Sequence, residues 1–180
     1  MSPTPPDLSS LLDAVAFAAR AHRHQLRKDG QTPYASHPFR VALIASQVFG
    51  VMDRRVLTAA VLHDTIEDTS TDGDDIIERY GPDVHRWVVA LTKDKRPPEA
   101  ERERAYAAAL VGGGWQVHVC KLADMYDNLL DLGQLSPEKR KKTFERSQFY
   151  LAALEPHLTA ESRQAFDVVR NLLDAKIREP

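Results

Sequence analysis

The stretch His63-Asp64-Thr65-Ile66-Glu67-Asp68 constrains this chain more than any other. It follows an apolar run, Leu57 to Leu62, whose composition predicts a helix. On a helix, positions i, i+1, i+4 and i+5 fall on one side of the cylinder. His63, Asp64, Glu67 and Asp68 occupy those positions. One imidazole and three carboxylates would then share the same space. Crowded carboxylates repel one another and resist ionising together. A bound cation is the simplest remedy, and further ligands must come from elsewhere in the chain.

Composition narrows what such a site can serve. The 180 residues suffice for one domain with a sizeable core. A hydrophobic fraction of 43% and a charged fraction of 28% suit a soluble globular protein. The net charge of −2 provides no global field for nucleic acid, so an anionic ligand needs a local basic patch. The lone Cys120 excludes an internal disulfide and a cysteine-rich zinc site. No apolar run reaches the roughly 20 residues of a membrane span. Residues 1–7, with three prolines, read as a short disordered lead rather than a signal peptide. Cytoplasmic localisation is the expectation.

Helical periodicity runs the length of the chain. Ser10 is placed to cap a first helix ending near Gln25, with Asp13 as its capping-box partner. Arg27-Lys28-Asp29-Gly30 is a turn that displays two cations. A second helix runs from Pro38 towards Gly50. Asp53 caps a third, which carries Val56, Leu57, Ala60 and Val61 into the opening motif. Asp74 to Tyr80 is a short helix closed by Gly81, and Pro82 starts another. Glu99 to Leu110 is helical, and Gly112-Gly113-Gly114 is a break. Trp115 to about Leu132 follows, then a helix capped by Ser136-Pro137 that runs to Leu154. Thr159 opens the last. The expected fold is all-α, about nine helices, with residues 8–180 as one domain.

The additional ligands have plausible sources. His37 precedes Pro38 at the start of the second helix. Lys121, Asp124 and Asn128 lie at i, i+3 and i+7 and share one helical face. Two imidazoles and two carboxylates suit a divalent first-row metal, with the carboxylates favouring Mn²⁺, Fe²⁺ or Mg²⁺. Glu67 and Asp68, one turn past His63 and Asp64, can reach a metal-activated water without being ligands. His22 lies on an apolar face and reads as a packed core histidine.

The order His37, His63-Asp64, Asp124 resembles that of the HD-domain metal-dependent phosphohydrolases. Arg27-Lys28-Asp29-Gly30, Pro33-Tyr34, His37-Pro38, the run from Ala59 to Thr69, Leu91-Thr92 and Lys121-Leu122-Ala123-Asp124 with Asn128 resemble the hydrolase domain of RelA/SpoT homologues. Small alarmone hydrolases, including the metazoan SpoT-like type, are similar in length. The resemblance implies removal of the 3′-diphosphate of (p)ppGpp, giving GDP or GTP and pyrophosphate, usually with one Mn²⁺. It maps metal ligands onto His37, His63, Asp64 and Asp124, water-handling carboxylates onto Glu67 and Asp68, and nucleotide contacts onto Arg27, Lys28 and Asn128. Lys95, Arg102, Arg104 and Arg146 are further candidates for the diphosphate. The chain has no room for the family's synthetase and regulatory domains.

Two positions depart from that pattern. Met125 stands where a basic residue is common, and Asp127 where His or Tyr is common. An extra carboxylate near the nucleotide would weaken binding of an anionic ligand or change base preference. Two other readings remain open. One is an HD phosphohydrolase acting on another nucleotide, such as a ppApp-type alarmone, NADPH or a deoxynucleotide. The other is a helical nucleotide-binding domain without turnover.

Overall fold

The computed structural model describes residues 8–179. Nine α-helices follow in order: α1 (Leu8–Ala21), α2 (Ser36–Gln47), α3 (Arg54–Leu62), α4 (Thr65–Asp68), α5 (Gly73–Leu91), α6 (Glu99–Gly112), α7 (Gly114–Leu130), α8 (Pro137–Leu154) and α9 (Ala160–Arg178). Short 3₁₀ turns at Leu132–Gln134 and Glu155–His157 follow α7 and α8. Among the described residues there is no strand, only an isolated bridge between Leu26 and Pro33. The all-α expectation holds. The lead assigned to residues 1–7 lies outside the described residues.

Two helices form the interior. In α3, Val56 and every residue from Thr58 to Leu62 are buried. In α7, the buried set includes Val117, Val119, Leu122, Ala123 and Leu129. Helix α3 packs against α1, α2 and α5, and α7 against α2 and α9. A helix covered on most sides must be apolar on most sides, and this explains why its sequence reads as a run rather than a stripe. The core joins residues from Ala14 to Leu173 in one cluster.

Several ends follow their local chemistry. The Asp53 carboxylate accepts from the Arg55 amide at the start of α3. Ser136 Oγ accepts from the Lys139 amide, with Pro137 opening α8. The expected Ser10 cap is not made, because Ser10 lies inside α1; Asp13 instead accepts from the Tyr80 hydroxyl at 2.8 Å. Helix α1 stops at Ala21, four residues short of the expected end, where His22 and Arg23 fold into a turn.

The opening motif does not ride on one continuous helix. Helix α3 ends at Leu62, and Asp64 sits at φ −99° and ψ −3°. The buried Thr65 hydroxyl donates to the Leu62 carbonyl at 2.7 Å and satisfies an acceptor freed at that end. The chain then makes a single further turn, α4. His63 and Asp64 therefore belong to the junction, and Glu67 and Asp68 to the turn beyond it.

Gly81 joins two helical halves of α5 at φ 83° and ψ 173°, with Pro82 next. Only glycine adopts that backbone region without strain. A Cβ there would meet nothing within 4 Å. Gly81→Ala should therefore lower stability through backbone strain alone, by about 1–3 kcal/mol. Urea unfolding should show a lower midpoint with an unchanged slope.

Candidate metal centre

Three helices deliver the site's polar groups to one place. The start of α2 brings His37, the α3–α4 junction brings His63 and Asp64, and the middle of α7 brings Asp124. One donor atom each from His37, His63 and Asp124 lies within 4.8 Å of the others. Asp64 Oδ2 joins them, 3.0 Å from His63 Nε2 and 3.6 Å from His37 Nε2. Asp124 Oδ1 is 3.2 Å from His37 Nε2 and 3.9 Å from His63 Nε2.

Hydrogen bonds fix what the imidazoles present. His63 Nδ1 faces the Ala60 carbonyl at 2.8 Å, and His37 Nδ1 faces an Asp127 carboxylate oxygen at 2.6 Å. Both partners can only accept, so both Nδ1 atoms carry hydrogen. Each Nε2 is left pointing into the cluster. His63 Nε2 is buried without a hydrogen-bond partner. An orphaned imidazole nitrogen beside a second one and two carboxylates fits a divalent cation with mixed nitrogen and oxygen ligands.

The carboxylates are held by neighbouring donors. The Tyr34 hydroxyl donates to Asp64 Oδ2 at 2.6 Å. Lys121 Nζ and Asn128 Nδ2 donate to the two oxygens of Asp124 at 2.8 and 2.6 Å. Burial opposes the charge on Asp124, but Lys121 and His37 hold its pKa well below the ordinary carboxylate range. Asp64 is likewise lowered: burial opposes its charge, and His63 outweighs burial.

The cluster forms the floor of a cavity of about 310 Å³. Glu67 and Asp68 line it, as do Arg27, Lys28 and Asn128. Glu67 Oε2 accepts from the Lys93 backbone amide at 2.9 Å, while Lys95 Nζ lies 2.5 Å from Asp68 Oδ1 and 3.5 Å from Glu67 Oε1. Arg27 is heavily engaged, its guanidinium 3.2 Å from Asp127 and 2.5 Å from Asp131. Lys28 is exposed, and partial burial of its ammonium followed by its Arg27 neighbour lowers its pKa. Arg146 reaches the cavity; Arg102 and Arg104 do not line it, and Arg104 folds back onto the Ala100 carbonyl.

The expectation for Asp127 is corrected. Its side chain does not enter the nucleotide side of the cavity. It is fully buried behind His37, between Arg27 and Arg40. The i, i+3 relation to Asp124 places both carboxylates on the α7 face toward α2. Met125, also buried, does line the cavity.

A basic aromatic wall escaped the sequence reading. Lys93 Nζ contacts Glu103 at 3.0 Å and the Tyr150 hydroxyl at 2.8 Å, and lies 4.8 Å from the Tyr106 ring centroid. The Tyr150 hydroxyl also donates to Glu103. Lys121 lies 5.3 and 5.0 Å from the rings of Tyr106 and Tyr150. These residues come from α6, α7, α8 and the α5–α6 loop, so no local spacing signals the group. The 22–35 loop is tied down similarly: Gln25 bonds to His22 and donates to the Asp68 carbonyl.

A family model described as HD domain matches residues 14–154. The chain belongs to the HD-domain family. The human protein named guanosine-3′,5′-bis(diphosphate) 3′-pyrophosphohydrolase MESH1 is 38% identical over 168 residues, covering 92% of this chain and 94% of that protein. Its Xenopus tropicalis counterpart is 42% identical over 133 residues, covering 73% of this chain and 74% of its own length. A solved structure described as a metazoan ortholog of SpoT that hydrolyzes ppGpp aligns with a TM-score of 0.79 at 30% identity, covering 93% of this chain and 97% of that one. A Listeria monocytogenes structure with a TM-score of 0.62 at 23% identity shares the fold. Within the HD-domain family, this chain groups with MESH1.

The imidazoles make metal-free stability depend on pH. Burial disfavours the His63 cation, but Asp64 and Asp124 outweigh it and raise its pKa from 6.5 to about 9. A proton held more tightly in the fold than in the unfolded chain stabilises the fold fully below the unfolded pKa. That contribution disappears as pH rises through the folded value. Thermal unfolding in EDTA should therefore show a melting temperature that falls between pH 6.5 and about 9. His63→Ala should flatten this slope.

Proposed function

We propose that this chain is a metal-dependent (p)ppGpp 3′-pyrophosphohydrolase, with residues 8–180 acting as one cytoplasmic hydrolase domain. The observation that carries the proposal is the convergence of His37, His63, Asp64 and Asp124 beneath the cavity that Glu67 and Asp68 line. The names of the MESH1 relatives supply the substrate class. In this reading His37, His63, Asp64 and Asp124 hold one Mn²⁺. The ion would supply a water of lowered pKa and positive charge for a phosphoryl oxygen.

The chain's own residues do the remaining work. Water attacks the phosphorus bonded to the ribose 3′-oxygen, and the bond from phosphorus to that oxygen breaks. Glu67 and Asp68 take up the water's proton and aim its lone pair. The 3′-oxygen leaves with a proton, giving GDP or GTP and pyrophosphate. Lys93, Lys121 and Arg146 set positive charge along the cavity wall, where charge on phosphoryl oxygens develops. Lys95 already contacts both water-handling carboxylates and restrains them.

The nucleotide side follows from what each group has left to offer. The Arg27 guanidinium is bonded to Asp127 and Asp131. One face of the guanidinium lies over the Tyr34 ring, and the other remains for stacking on a base. Lys28 acts as a point charge for phosphate. Asn128 donates to Asp124 and also reaches the cavity, linking a ligand to the bound nucleotide.

Incubation of the purified chain with ppGpp and Mn²⁺ should release pyrophosphate. Orthophosphate in its place would point to another phosphohydrolase reaction, and no release with any divalent ion would refute the proposal. Asp64→Ala should abolish Mn²⁺ binding and turnover together. Glu67→Gln should retain Mn²⁺ in calorimetry while kcat falls by about 100-fold to 10,000-fold, the range of a positioned proton acceptor.

A further inference from the structure

Asp127 is the fully buried carboxylate nearest to the candidate ligands; His37 and Arg27 hydrogen-bond to it, and Arg40 pairs with its charge. His37 Nδ1 is 2.6 Å from Oδ2, and Arg27 Nη2 is 3.2 Å from the same oxygen. Arg40 Nε is 2.6 Å from Oδ1. Asp131 shares both arginines, 2.5 Å from Arg27 and 3.6 Å from Arg40, without contacting His37. We infer that Asp127 is a positioning residue for the metal centre: it locks His37 in the Nδ1–H tautomer, aims Nε2 into the cluster and strengthens that nitrogen as a donor. The inference rests on the metal-centre reading above.

The two imidazoles are fixed by different means. His63 Nδ1 bonds to the Ala60 carbonyl, a backbone group that α3 holds in place. His37 Nδ1 has a side-chain carboxylate instead. A negative partner on one ring nitrogen makes the other a better metal donor and fixes the ring plane. A buried carboxylate needs balancing charge, and Arg27 and Arg40 provide it. Arg27 also lines the cavity. The nucleotide wall and one metal ligand therefore meet at a single carboxylate.

Asparagine at position 127 keeps the shape but removes the charge. Its amide oxygen can replace Oδ2 for His37 and Arg27, but its amide nitrogen faces the Arg40 cation, and the negative charge beside His37 Nδ1 is gone.

Mn²⁺ titration calorimetry on the full chain tests the inference. Asp127→Asn should weaken Mn²⁺ binding by about 10-fold to 100-fold, the range for lost partners of ligating histidines. Asp131→Asn, which disturbs the same arginines but not His37, should leave the affinity close to wild type. Equal weakening by both variants, or none by Asp127→Asn, would overturn the inference. A readout on the wild type avoids any folding defect of the variant. Nitrogen-resolved NMR of the zinc-loaded chain should show His37 with its proton on Nδ1, and a proton on Nε2 would overturn the inference. His63→Ala separates the two levels. Wild-type Mn²⁺ binding that this variant abolishes, but Asp127→Asn leaves intact, sinks the role of Asp127 alone. A wild type that binds no Mn²⁺, or binds it equally after His63→Ala, sinks the metal-centre reading as well.

Discussion

Two imidazole nitrogens, aimed by bonds at their far sides, face two carboxylates where α2, α7 and the α3–α4 junction meet. The rest of the structure is arranged around that unbalanced group. In the metal-free protein its charges are moderated by protons on His37 and His63, whose pKa values both rise. A divalent cation would replace those protons and satisfy all four side chains at once. The supports follow the same logic: Tyr34 restrains Asp64, Lys121 and Asn128 restrain Asp124, and Asp127 restrains His37. Lys121 takes the second oxygen of Asp124 and Asp127 the outer nitrogen of His37, whereas Tyr34 and Asn128 bond to the carboxylate oxygens that face the imidazoles.

Charge is also sorted in space. The floor of the cavity is acidic, whereas its walls carry Lys28, Lys93, Lys121 and Arg146. A net charge of −2 over the whole chain conceals that separation. Lys93 and Lys121 lie against the rings of Tyr106 and Tyr150, which partly replace the water these ammonium groups give up. The two lysines respond differently. Burial lowers the pKa of Lys93, while Asp124 overcomes burial and raises that of Lys121. Lys121 thus ties the wall to Asp124 on the floor, whereas Lys93 pairs with Glu103.

The helices and the cluster's members were legible because both rest on short-range pattern. Asp53, Ser136 and Thr159 signal helix starts through chemistry spanning three residues. His63-Asp64 and Glu67-Asp68 sit within one another's reach on any helical path, so breaking the helix at Leu62 leaves their neighbourhood intact. The direction of a side chain is harder to read. Asp127 precedes Asn128, which faces the cavity, yet a step of one residue turns it about 100° around the helix, toward α2. Arg40 and Arg27, its partners, come from separate segments. The Tyr106–Tyr150 wall likewise exists only after α6 and α8 pack together.

Glu67 is anchored by the backbone amide of Lys93, not by that residue's side chain. Any amino acid except proline supplies the same N–H. Position 93 can therefore change its side chain while this bond to Glu67 remains. The α5–α6 loop thus holds Glu67 in two ways, through the main chain at position 93 and through the side chain of Lys95.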